Sequence, residues 1–175
     1  MHANIIFISG PRNGGKTTTL LSYLERNEQK FHFSEIGGFV AIANKEKNCY
    51  RLKNLSTGEE RVAICETALP NAIRWGRFFI DSTVFAWANQ TIIEHLNDYR
   101  LVVFDELGRF ELEGLGFDQS FHRALGQPGL LVLATVRTSF LCSILQRYGL
   151  DESEVELIRC EELKPMTEGI INCLE

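Results

Sequence analysis

The octapeptide Gly10-Pro11-Arg12-Asn13-Gly14-Gly15-Lys16-Thr17 constrains this chain more than any other stretch. It matches G-x-x-x-x-G-K-[ST], a pattern in which every fixed residue answers to a row of phosphates. With glycine at roughly 7% of ordinary sequences, a chance match falls below about one in a hundred per chain. The surroundings agree. Asn4–Ser9 is a β-branched and aromatic run that stops at Gly10, as a buried strand does. Lys16 to about Asn27 reads as a helix carrying Leu20, Leu21 and Leu24. Glycines let the backbone curl so that its N–H groups point at anionic oxygens, and the helix that follows adds its positive end. Gly10, Pro11, Arg12, Asn13, Gly14, Gly15, Lys16, Thr17 and Thr18 are therefore the expected nucleotide-binding positions. Lys16 is expected to bridge the β- and γ-phosphates and to serve catalysis, Thr17 to ligate Mg²⁺, and Thr18 to reach the α-phosphate.

A Mg·nucleotide site needs a carboxylate opposite the loop hydroxyl. Leu101-Val102-Val103-Phe104-Asp105-Glu106 supplies one at the carboxyl end of an apolar strand, the end at which open parallel sheets bind ligands. Asp105 fits the metal-side role. Strand alternation turns Glu106 to the opposite face, where it is expected to activate the water that attacks the γ-phosphate. The alternative for Glu106 is a carboxylate that caps a neighbouring helix. The long interval between Lys16 and Asp105 leaves room for another strand between the two motifs, the arrangement of the additional-strand, catalytic-glutamate branch. Guanine specificity would call for N-K-x-D, and Asn44-Lys45-Glu46-Lys47 fails at its last position.

The rest of the chain reads as alternating strands and helices. Phe39–Ala43, Cys49–Leu55 and Arg61–Cys65 are strand-like runs separated by polar turns, which predicts an antiparallel meander over about residues 37–65. Phe78–Ile80 is a further short strand. Asp81 or Ser82 caps a helix running to about Asn97, with Phe85, Ala88, Ile92 and Leu96 on one side. Asp118–Leu125 is a short helix, Leu130–Val136 a strand, Thr138–Tyr148 an amphipathic helix and Val155–Cys160 a last strand. The expected architecture is a three-layer α/β/α P-loop fold with a mainly parallel sheet and an antiparallel hairpin insertion, one domain over residues 1–175.

Composition narrows the partners. The chain has 18 basic and 23 acidic side chains, a net charge of −5, so nucleic acid is not expected as its main ligand. The apolar runs are strand-sized and the amino terminus lacks a signal-peptide pattern, so neither a membrane span nor secretion is expected. Five cysteines at irregular spacing argue against a disulfide framework and a zinc site, and Cys65 and Cys142 read as small core residues. The expected location is cytoplasmic. His2, His32, His95 and His122 show no metal spacing.

Four blocks resemble the thermophilic or cancer-related nucleoside-triphosphatases. Gly10–Thr18 looks like that family's phosphate loop. Gly38-Phe39 and the later Leu55-Ser56-Thr57-Gly58-Glu59 are similar to its glycine-phenylalanine strand and L-x-T-G-E turn. Gly76-Arg77-Phe78 with Asp81 resembles G-K-Y-x-V-D, and Asp105-Glu106-Leu107-Gly108-Arg109-Phe110-Glu111-Leu112 resembles the D-E-I-G-K-M-E signature. The resemblance implies an α/β P-loop domain that hydrolyses nucleoside triphosphates slowly and with little base discrimination. Two departures stand out. Arg159-Cys160-Glu161-Glu162 replaces an Asn-Arg pair after the last strand, and Ala41-Ile42-Ala43-Asn44-Lys45 replaces a T-x-E-V-R run. The family's base and ribose contacts there are not implied for this chain.

Charge on the transferring phosphoryl calls for a cation besides Lys16. Arg12, Arg109 and Arg137 are the candidates, each with a solvated surface arginine as its alternative. Thr135 is a candidate polar sensor. Glu111 is expected to orient Arg109 or a partner, or to be solvated. Trp75 and Trp87 are read as core residues. The expected function is Mg²⁺-dependent hydrolysis of nucleoside triphosphates such as ATP or GTP. The alternatives are a nucleoside, nucleotide or metabolite kinase, and a switch or assembly factor timed by slow hydrolysis, with no protein partner identified.

Overall fold

The structure is a computed structural model that describes residues 3–70 and 72–160. Nine strands form one sheet: β1 Asn4–Gly10, β2 Ile36–Ala43, β3 Cys49–Asn54, β4 Glu60–Cys65, β5 Ile73–Trp75, β6 Phe78–Ile80, β7 Leu101–Leu107, β8 Leu131–Arg137 and β9 Val155–Arg159. Their order is β5-β6-β4-β3-β2-β7-β8-β1-β9. β2, β7, β8, β1 and β9 are parallel neighbours, and β2-β3-β4-β6-β5 continues outward in antiparallel pairs. β2 belongs to both parts. Its first half, Ile36–Phe39, pairs with β7, and Phe39–Ala43 pairs with β3.

Helices α1 Lys16–Arg26, α2 Ser82–Glu94, α3 Arg109–Leu112, α4 Asp118–Leu125 and α5 Leu141–Tyr148 pack against the sheet. Alternation along the strands sorts the core onto two faces. Ile6, Ile8, Leu101, Val103 and Leu133 meet Leu20 of α1. Phe7, Val102, Phe104, Val132 and Ala134 meet Val84, Ala88 and Ile92 of α2, Phe121 of α4 and Ile144 of α5. Both faces of the central strands are thus covered, which is why Ile5–Ile8 of β1, Leu101–Phe104 of β7 and Leu131–Ala134 of β8 are apolar without interruption. Gly38 marks the closest backbone approach. Its φ is +99°, and a Cβ there would overlap the Val103 carbonyl on β7.

Most elements fall where the sequence predicts them. The helix after Asp81 is shorter than expected and ends at Glu94, while Asp81 caps it by accepting from the Thr83 N–H at 2.9 Å. Residues Thr138–Phe140 form a separate helical turn before α5. Ile73–Trp75 is a strand that the sequence analysis did not anticipate.

The cysteine reading is corrected. Cys49 and Cys65 are disulfide-bonded, because the antiparallel register of β3 and β4 sets them directly opposite each other. Irregular spacing along the chain says nothing about proximity across a ladder. Cys142 is exposed on α5 rather than buried. Cysteine usage therefore no longer supports the expected cytoplasmic location. Among the described residues, no helix is long and apolar enough to cross a membrane. His2, Cys173, Glu161 and Glu162 lie outside the described residues.

Candidate nucleotide site

The loop between β1 and α1 turns through Asn13 at φ 59° and Gly15 at φ 80°, where glycine takes the left-handed conformation without strain. Gly15 sits at the helix N-cap, so α1 begins at Lys16. Lys16 is 3% exposed. Its Nζ donates to the Pro11 carbonyl at 3.1 Å and lies 3.8 Å from Glu106 Oε1. The ammonium is thus held inside the loop it came from, facing the end of β7.

β7 supplies both carboxylates, but not by simple alternation. The β7–β8 register breaks between Phe104 and Leu107, and Glu106 adopts φ 67°. A non-glycine residue in that region is strained, and such strain collects at functional sites. The kink corrects the expectation of opposite faces: Asp105 and Glu106 line the same cleft. Asp105 is 2% exposed, whereas the Glu106 side chain is 40% exposed.

Asp105 accepts from three donors. The Thr17 hydroxyl donates to its two oxygens at 3.2 and 3.0 Å, the Thr135 hydroxyl to Oδ1 at 2.7 Å, and the Ala41 N–H to Oδ2 at 3.1 Å. Burial pushes this carboxyl above its ordinary pKa, against the pull of the bonds from Thr135, Ala41 and Thr17. Thr135 also accepts from the Glu106 N–H at 2.7 Å. The Thr17 hydroxyl, the Asp105 carboxylate, Thr135 and the backbone of the kinked Glu106 form one connected chain across two strands and a helix.

The three arginine candidates separate. Arg137, at the end of β8, places Nη2 3.6 Å from Glu106 Oε2. Arg109 pairs instead with Glu113 at 3.0 Å and stands over the Trp75 ring. Arg12 is exposed at the cleft margin, where Thr18 also lies.

Glu111 does not orient Arg109, nor is it solvated. It is 2% exposed and accepts from the Gly108 N–H at 2.7 Å and the Phe117 N–H at 2.9 Å. Burial raises its pKa to about 7 despite those two bonds. Glu111 thereby ties the segment after β7 to the start of α4.

The cleft has a volume of about 940 Å³ and extends well past the phosphate loop. Its far half is lined by Tyr50, Trp75, Phe78 and Phe110. Sequence reasoning missed this wall. Its residues come from β3, β5, β6 and α3, and nothing in their spacing links them. Trp75, expected in the core, is a half-buried part of the wall, 5.2 Å from Phe110. Trp87 packs against Phe39 at 4.9 Å.

The chain matches the model of a family described as NTPase over residues 5–163. No curated protein sequence matches it. Among solved structures, the solution structure of a human cancer-related nucleoside triphosphatase is similar, with a TM-score of 0.67 and 22% identity. That likeness covers 90% of this chain and 88% of the other, and supports a P-loop NTPase-like α/β fold with a mainly parallel sheet. The family model spans the phosphate loop, the kinked acidic strand end and β8 alike, so the chain belongs to the NTPase family and is a hydrolase of nucleoside triphosphates.

Proposed function

We propose that this protein is a single-domain, Mg²⁺-dependent hydrolase of the additional-strand, catalytic-glutamate type, its outer antiparallel strands an insertion, and that it cleaves ATP, GTP and related nucleoside triphosphates to the diphosphate and phosphate. The observation that carries the reading is the hydrogen-bonded chain Thr17–Asp105–Thr135–Glu106, which joins the loop hydroxyl to the Asp105 carboxylate and, through Thr135, to the backbone N–H of Glu106. β8 lies between β1 and β7 in the sheet and contributes Thr135 and Arg137. That position supports the class assignment.

Residues Gly10 to Thr18 hold the phosphates. Lys16 meets the β- and γ-phosphate oxygens, exchanging its weak pairing with Glu106 for theirs. The donor set fits magnesium, because a hydroxyl and a carboxylate are already adjacent and hard oxygens with few protein ligands suit that ion. Thr17 and Asp105 would hold it, and when bound it neutralises charge on the β- and γ-oxygens. Glu106 accepts the proton of the attacking water. Arg137 faces Glu106 and is placed to meet charge that develops on the γ-phosphoryl group.

Phosphate release from ATP, GTP, CTP and UTP, with and without Mg²⁺, tests the reading. Expected are Mg²⁺-dependent rates on all four, abolished in Lys16→Ala and lost in Glu106→Gln, which still binds nucleotide. Full activity in Glu106→Gln would reject its role as the base.

A further inference from the structure

Glu106 divides the cleft. On one side lie the loop and Lys16. On the other, Tyr50 and Phe78 meet at 6.0 Å and Trp75 and Phe110 at 5.2 Å, so four half-buried rings form a wall open to the same space. Hydrolysis by water has no use for such a wall. An apolar surface of this kind inside a cleft within the usual roughly 300–1,000 Å³ range of small-molecule sites is built to hold a ring.

The direction of the reaction says which ring. In phosphoryl transfer the attacking and leaving oxygens lie roughly in line on opposite sides of the phosphorus. The leaving diphosphate stays with the loop after β1. The attacking group therefore comes from across the cleft, past Glu106, where the sheet order places β3, β4, β6 and β5 beyond β7 and β2. Arg109 stands 5.5 Å over the Trp75 ring, and Lys47 is at the margin, so polar groups frame an apolar floor.

We propose that the aromatic half of the cleft is a phosphoryl-acceptor site for a nucleoside, its base stacked on the wall and its primary hydroxyl directed at Glu106. The inference rests on the nucleotide reading above. The hydroxyl oxygen bonds to the γ-phosphorus, the bond from that phosphorus to the β-phosphate oxygen breaks, and the diphosphate leaves with the electron pair. The hydroxyl proton passes to Glu106 and then to solvent. Water is the acceptor when the half-cleft is empty.

The test incubates the full chain with Mg²⁺ and γ-labelled ATP, with and without adenosine, guanosine, cytidine or thymidine. Labelled nucleoside monophosphate and labelled free phosphate are separated and measured. Expected is label on at least one nucleoside, with free phosphate falling as that nucleoside rises. Trp75→Ala and Tyr50→Ala lower the ratio of monophosphate to free phosphate about tenfold, the loss of one stacking partner. Partial unfolding leaves that ratio unchanged. Free phosphate with no labelled nucleoside overturns the acceptor site and leaves the hydrolase standing, and so does a ratio that neither variant moves. Absence of any ATP turnover overturns both.

Discussion

The Thr135 hydroxyl joins Asp105 to Glu106: it donates to Asp105 Oδ1 and accepts from the Glu106 N–H, each at 2.7 Å. One side chain on β8 thereby holds the carboxylate proposed to face the metal and the strained backbone of the proposed base. Thr135→Val keeps the shape and removes both bonds. A buried oxygen and the Glu106 N–H then lose a partner, which costs about 1–3 kcal/mol of stability. kcat is expected to fall about tenfold or more, with a smaller change in KM, and Thr135→Ser is expected to restore most of it. Urea denaturation and steady-state phosphate release measure the two effects.

Arg137 and Arg109 carry the same charge but occupy different sites. Arg137 faces Glu106, while Arg109 is committed to Glu113. Arg137→Ala is expected to lower kcat by about a hundredfold, as loss of a preorganised charge partner does. Arg109→Ala is expected to leave hydrolysis by water within about twofold, since exposed ion pairs contribute little. Equal losses in the two variants would remove the distinction.

Glu111 titrates in the physiological range because burial outweighs its two backbone bonds. Its folded pKa of about 7 lies above the ordinary 4.5, so between those values the folded protein holds a proton that the unfolded chain has released. The contribution therefore favours folding at low pH and is lost as pH rises through this window, with a slope of at most about 1.4 kcal/mol per pH unit. Asp105 is raised in the same direction. Urea midpoints between pH 5 and 8 should show the fall, and Glu111→Gln should flatten it. A slope that survives unchanged in that variant assigns it elsewhere.

Cys49 and Cys65 close a short loop, with a sequence separation of 16. Reduction, or Cys49→Ala with Cys65→Ala, is expected to lower stability by about 3 kcal/mol through greater freedom of the unfolded chain. Thiol counting with and without reductant checks the bond, and thermal denaturation checks its contribution.

Some of this site is legible in a linear reading because its physics is local. A phosphate loop needs its glycines, lysine and hydroxyl consecutively, and the strand and helix on either side declare themselves through neighbouring residues. The two faces of the core follow from the period of a strand, which is why β1, β7 and β8 and the helices packed on them are readable. Even Asp105 and Glu106 stand out, as charges at the end of an apolar run. Thr135 is visible as a candidate, but its two bonds are not, since β8 follows β7 in the chain and only the sheet order sets them side by side.

What the sequence by itself determined is the loop motif, the family and the alternation of strands and helices. The tertiary structure alone decided the rest: the kink that turns Glu106 into the cleft with Asp105, the burial of Glu111, the Cys49–Cys65 bond and the aromatic wall of Tyr50, Trp75, Phe78 and Phe110. Each depends on which strands become neighbours. Burial, register and strain are properties of pairs of segments far apart in the chain, and no local pattern encodes them.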